Sequence, residues 1–163
     1  MARIQIMIFE IDGRKFGVNA QCINGILRAR KYSIQKIPSA GDEIEGMINL
    51  RGNVSYIFNL RKKFKMACVE YGPESKIVMI NLNNVVVGCL VDEVTDIVHC
   101  DSEDVEAAPP FMGHNEQSVI TGICKIQEEL IIMLNLDRLL TIKLDAFPFE
   151  NMDDSSQVQL HKA

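Results

Sequence analysis

The chain has 163 residues, 47% apolar and 24% charged, with a formal net charge of −5. That length gives one domain or two very small ones, and it buries enough surface to need no disulfide or metal staple. No run approaches the ~20 apolar residues of a membrane span, and the opening MARIQIMIFEIDG lacks a signal-peptide layout, so the expected location is the cytoplasm.

Charge is unevenly spread along the chain. Residues 1–72 carry twelve Lys/Arg against six Asp/Glu, net +6, and residues 73–163 carry five against sixteen, net −11. An electrically polar molecule with an acidic pI near 5.2 suits steered docking to charged proteins better than nucleic-acid binding, which favours a basic domain with aromatics.

In chain order, the apolar residues form short runs or alternate with period two, the pattern of strands. These runs are IQIMIFEI (4–11), KFGVNA (15–20), GMINL (46–50), NVSYIF (53–58), KIVMINL (76–82), VVVGCLV (85–91), SVITGICKI (118–126) and ELIIML (129–134). Turn signals fall at Asp12-Gly13, Arg51-Gly52, Asn83-Asn84 and Gln127-Glu128. Short helices are predicted at 20–25, 59–65, 92–97 and 135–141, where a strand gives way to Asn or Asp and amphipathic residues follow. The acids of DSEDVE (101–106) read as a helix N-terminus capped by Asp101 or Ser102. The segment 109–117 reads as a surface loop, and 145–163 as a disordered tail.

An internal repeat organises these elements. At an offset of 71, residues 8–26 fall on 79–97, with Gly17 on Gly88, Ile23 on Val94, Ile26 on Ile97 and Pro38 on Pro109. At an offset of 76, residues 44–64 fall on 120–140, with Gly46 on Gly122 and Asn59-Leu60 on Asn135-Leu136. The expected fold is all-β: two tandem small barrels of about five strands each, at about 8–66 and 76–142, with the first strand able to pair across, sharing an apolar seam, with short closing helices. Arg51 falls on Gln127, and Arg61 on Asp137. Because Arg51-Gly52 does not recur, it is a candidate for function in the first copy, although a hairpin turn alone also accounts for the glycine.

Catalytic chemistry is sparse. His99, His114 and His161 have no metal-ligand neighbour at i+3 or i+4, and no nucleophile elbow or phosphate loop occurs. The cysteines Cys22, Cys68, Cys89, Cys100 and Cys124 are scattered without a C-x-x-C. Neither a cofactor nor a catalytic or metal site is expected.

Several motifs together resemble the CheW family, the coupling proteins of bacterial chemotaxis arrays. They are GMINLRGNVSYIFNLRKKF (46–64), VVVGCLVDEVTDI (85–97), the AAP at 107–109 and VITGICKIQEELIIMLNLDRLL (119–140), and the likeness spans about 3–142. The resemblance implies two five-stranded SH3-like barrels around a shared core and no catalytic activity. It also implies two partners, the cytoplasmic tip of a chemoreceptor and the regulatory domain of the CheA histidine kinase, with no nucleic acid and no membrane insertion. By the same resemblance, Arg51 is an exposed binding arginine, Ile23 and Ile97 match apolar positions of a receptor groove between the barrels, and Gly46 and Gly122 match glycines near partner contacts. Arg61 matches a structural position.

The chain departs from the family pattern at three places. Gly25 stands where a glutamate is usual, Tyr56 where a proline is usual, and Asn59 where an aspartate is usual. Tyr56 supplies a backbone N–H that proline lacks, so its strand is expected to be able to pair at an edge. Two other readings compete with the adaptor: a nucleic-acid-binding small barrel and a small cysteine-dependent enzyme, which needs a low-pKa thiol.

Overall fold

A computed structural model describes residues 3–38, 41, 43–67, 69–82, 84–107 and 119–145. The loop at 109–117 and the tail beyond 145 lie outside the described residues. Among the described residues eleven strands form two sheets: β1 (Arg3–Ile11), β2 (Arg14–Asn19), β3 (Ile23–Arg28), β4 (Ile44–Leu50), β5 (Asn53–Asn59), β6 (Lys76–Leu82), β7 (Val85–Val91), β8 (Glu93–Asp101), β9 (Val105–Ala107), β10 (Ile120–Ile126) and β11 (Glu129–Leu134). Two helices, α1 (Leu60–Lys63) and α2 (Leu136–Asp145), follow β5 and β11.

The sheets cut across the linear repeat. One sheet runs β8-β1-β2-β11-β10-β9 and the other β3-β6-β7-β5-β4. The β1–β2 hairpin of the first copy therefore sits with strands of the second, and the β6–β7 hairpin of the second sits with strands of the first. Division into 8–66 and 76–142 does not follow the sheets. The junctions are the two parallel pairings, Ile132↔Phe16 in one sheet and Tyr56↔Val87 in the other. The two offsets of the repeat carry one junction onto the other. Close approach there explains Gly17 and Gly88: a Cβ on Gly88 would stand 2.7 Å from both Ile57 Cδ1 and Ile77 Cγ2.

Each sheet closes around its own apolar interior, giving two SH3-like barrels. Ile6, Ile8, Cys100, Cys124, Ile131 and Met133 fill one; Ala29, Ile48, Ile57, Ile77, Met79 and Leu90 fill the other. Strand alternation sends the neighbouring residues to the opposite face. There Met7, Phe9, Phe16 and Val18 meet Phe58, Val78, Ile80, Val87 and Cys89 in a third, shared core. Leu136, Leu139 and Leu140 of α2 join it at helical spacing. The strands number six and five rather than five and five, because the three-residue β9 adds to the second barrel. Its equivalent in the first is the single bridge Gln35↔Met47.

Three helix expectations fail. Residues 20–22 form one 3-10 turn and the chain is extended from Ile23. Residues 93–101 are strand, where β-branched Val94, Ile97 and Val98 pair with β1 and Thr95 falls at a bulge in the ladder. DSEDVE forms a 3-10 turn at 102–104, without a side-chain cap from Asp101, and then becomes β9. The other two helix expectations hold as α1 and α2.

Tyr56 does not lie at an edge, since β5 runs between β7 and β4 and Tyr56 pairs with both Val87 and Met47. Asn59 caps α1 by accepting a hydrogen bond from Arg61 N at 2.9 Å, and its Nδ2 donates to Glu45 Oε1 at 2.9 Å. An aspartate could cap but not donate. Asn59→Asp is therefore expected to lose about 1–3 kcal/mol. Its carboxylate beside Glu45 would raise one folded-state pKa above the unfolded value. The penalty should thus be full at neutral pH and shrink as pH falls through the raised value. Urea titrations at neutral and acid pH test this; equal losses at both would refute it.

Candidate protein-docking surface

Arg51 occupies the tip of the β4–β5 hairpin. Arg51 (φ 56°) and Gly52 (φ 87°) are both left-handed, the geometry of a tight two-residue turn. Asn49 Oδ1 accepts from Gly52 N at 2.9 Å and fixes the turn. The guanidinium projects into solvent, with no carboxylate in ion-pair range among the described residues. The equivalent β10–β11 turn has the same handedness at Gln127 (φ 50°) and Glu128 (φ 70°). The turn thus needs neither arginine nor glycine, and Arg51 contributes chemistry rather than geometry.

Arg61 behaves differently. Its side chain is 12% exposed, and Nη2 lies 2.6 Å from Asp92 Oδ2. Nε donates to Asp92 Oδ1 at 3.2 Å, and Nη1 donates to the Ala67 carbonyl at 3.0 Å. Asp12 N donates to Asp92 Oδ2 at 2.8 Å. Arg61 thereby links α1 of one barrel to the β1–β2 turn of the other.

Ile23 and Ile97 lie on β3 and β8, the outer strands of different sheets. Ile23 is half-buried against the shared core, as is its repeat equivalent Val94. Ile97 is 49% exposed, and its equivalent Ile26 39%. Both edge strands therefore border the shared apolar seam and carry one solvent-facing isoleucine each. Their exposed charges are opposite: Arg28, Arg30 and Lys31 at the β3 edge, Glu93, Asp96, Glu103 and Asp104 at the β8 edge. Gly25 sits at a register shift in β3, and a Cβ there would have nothing within 4 Å; no packing demands a glycine at this position.

Gly46 and Gly122 hold equivalent places in β4 and β10 and face backbone, not solvent. A Cβ on Gly46 would collide with the Gln35 carbonyl, and one on Gly122 would lie 2.5 Å from the Glu106 carbonyl. Their requirement is local packing. Gly46 and Arg51 share one hairpin, while Gly122, Ile23 and Ile97 lie on three other strands, so the five do not form one pocket. Sequence reasoning missed the exposed pair Val54 (57%) and Leu130 (64%), one beside each hairpin tip. The offset of 76 relates them and was the available signal.

Three of the described thiols are held away from the thiolate form. Burial pushes the Cys89 thiol up to about 12, and burial also raises Cys22 and Cys124, opposite to what a reactive thiolate needs. Cys68 lies outside the described residues. Among the described residues no cluster of metal-ligating side chains occurs, and no helix is long and apolar enough to cross a membrane.

Comparison with known proteins gives concordant results. The CheW-like domain family model matches residues 5–143. The chemotaxis protein CheW of Klebsiella aerogenes is 28% identical over 138 residues, covering 84% of this chain and 81% of that protein. The Bacillus subtilis chemotaxis protein CheW is 25% identical over 136 residues, covering 83% and 86%. The crystal structure of the scaffolding protein TtCheW from Thermoanaerobacter tengcongensis superposes with a TM-score of 0.77 at 26% identity, covering 85% of this chain and 93% of that one. With its two barrels, shared core and hairpin exchange all falling within the matched residues, the chain belongs to the CheW-like domain family.

Proposed function

We propose that this chain is a non-enzymatic cytoplasmic adaptor that couples the tips of chemoreceptors to the regulatory domain of a CheA-type histidine kinase. Residues 3–142 are the working unit. The observation that carries the reading is Arg51, a guanidinium held out in solvent by a turn that does not itself require it. Its planar fork suits carboxylates or backbone carbonyls of a partner. Ile23 and Ile97, on the edges bordering the seam, are the apolar contacts for a receptor helix laid along it. Gly46 and Gly122 act through the backbone shape they permit. Family membership and the raised thiol pKa values support an adaptor over an enzyme.

The test is a calorimetric titration against a CheA regulatory domain and, separately, against a receptor-tip helical hairpin. Micromolar binding to both is expected. Arg51→Glu should weaken one of the two at least roughly tenfold, the equivalent of one lost charged hydrogen bond, while the melting temperature stays at the parental value. Absence of saturable binding to either partner would refute the coupling role. An unstable Arg51→Glu would show that the turn residue is structural.

A further inference from the structure

A cleft of about 530 Å3 opens beside the shared core, lined at its mouth by Asn19, Gln21, Asn81, Asn135 and Asp137. Val18, Met133 and Leu134 supply apolar lining. The repeat offsets show what this cleft corresponds to. Asp137 falls on Arg61, Gln21 on Asp92 and Asn135 on Asn59. It is therefore the counterpart of the site that the Arg61 guanidinium fills in the other half of the molecule.

On the filled side, Arg61 is clamped between Asp92 and the Ala67 carbonyl. On the open side the arginine is absent and an acid stands in its place. Asp137 is exposed and makes no ion pair or hydrogen bond among the described residues. Asn135 caps α2 as Asn59 caps α1, its Oδ1 accepting from Arg138 N at 3.2 Å. The same scaffold is present on both sides, but only one has its cation.

We infer that the cleft is a docking site for an arginine side chain presented by a partner protein. The Asp137 carboxylate supplies the charge partner, and the amide carbonyls of Gln21 and Asn81 supply further acceptors. Val18, Met133 and Leu134 cover the methylene stem, as apolar surface commonly does for arginine. A guanidinium suits this set better than an ammonium because its planar fork serves several acceptors at once. Arg51 is not among the residues lining the cleft, which opens at the start of β3, where Cys22 precedes Ile23.

The experiment uses the 15N-labelled full chain and two probes, acetyl-Leu-Arg-Leu-amide and its citrulline counterpart, which keeps the shape and loses the charge. Expected are saturable shifts of the Asn135 and Gln21 signals with millimolar affinity for the arginine peptide. Citrulline should bind roughly fivefold more weakly, the scale of one exposed ion pair. The preference should disappear in Asp137→Asn and weaken at raised salt. Equal affinity for the two peptides, an unchanged preference in Asp137→Asn, shifts centred elsewhere, or no saturation would each overturn the assignment. Asp137 is exposed, so the variant is expected to fold as the parent does.

Discussion

Gly46→Ala should lower the melting temperature of this protein by roughly 4–24 °C. Two costs combine. The backbone at Gly46 has φ 155°, which side chains rarely adopt, at about 1–3 kcal/mol. The new methyl would also meet the Gln35 carbonyl and stand 2.8 Å from Ile34 Cγ2, an overpacking cost of about 1–3 kcal/mol. Their sum converts at about 2–4 °C per kcal/mol for a domain of this size. The collision cannot relax cheaply. Gln35 N donates to the Met47 carbonyl at 2.9 Å and Met47 N donates back to the Gln35 carbonyl at 2.8 Å, so moving the carbonyl breaks the bridge that closes the first barrel.

Gly122→Ala is the internal control. It meets the Glu106 carbonyl at 2.5 Å and Val105 Cγ1 at 2.9 Å, in a strand whose φ is not left-handed, and should lose about half as much. Thermal melts of the two variants decide the matter. Melts within about 2 °C of the parent for Gly46→Ala would mean that the glycine is held for a partner and not for the fold. A binding defect in a Gly46 variant speaks for a contact only when its melt is parental.

Eight of the eleven described strands and both closing helices were legible because their signals are local. Alternation at residues 4–11 and 129–134, and Asn59 and Asn135 before apolar residues, need no tertiary context. Of the exchange of hairpins only the crossing of the first strand was anticipated; that whole hairpins change places was not legible. A repeat reports that two segments are alike, and it is silent on whether each pairs within its own copy. That choice is made at Gly17 and Gly88, where a missing side chain lets a parallel strand close in. The failed helices at 20–25 and 92–97 have a related cause: both stretches become edge strands, and pairing with β6 and β1 outweighs weak amphipathic patterning. Of the candidate site, Arg51 could be singled out because its turn recurs without it. Ile26, Val54 and Leu130 escaped because an exposed apolar residue in a strand looks the same in sequence as a buried one.

The Arg61 clamp gives the second large effect, and it tests whether the two barrels are held together by charge as well as by the shared core. Arg61→Met keeps the stem but removes three hydrogen bonds and takes the cation from the Asp92 carboxylate, while Asp12 keeps its ion pair with Arg14. Removing one partner of a fully buried pair costs about 3–5 kcal/mol. Arg61 is only 12% exposed but the Asp92 side chain is 36% exposed, so solvent screens part of the residual charge and about 2–3 kcal/mol is expected. A double-variant cycle separates the pair from the packing. Asp92→Asn alone should be destabilising, and Arg61→Met with Asp92→Asn should be less destabilised than the sum by at least about 1 kcal/mol. Urea melts of the four proteins provide the numbers. Additivity within about 0.5 kcal/mol would mean that the two groups contribute separately and that the shared apolar core alone sets the barrel orientation. A clear coupling would instead make Arg61 the polar lock of one side of the molecule. The open cleft at Asp137 would then be the same lock without its key.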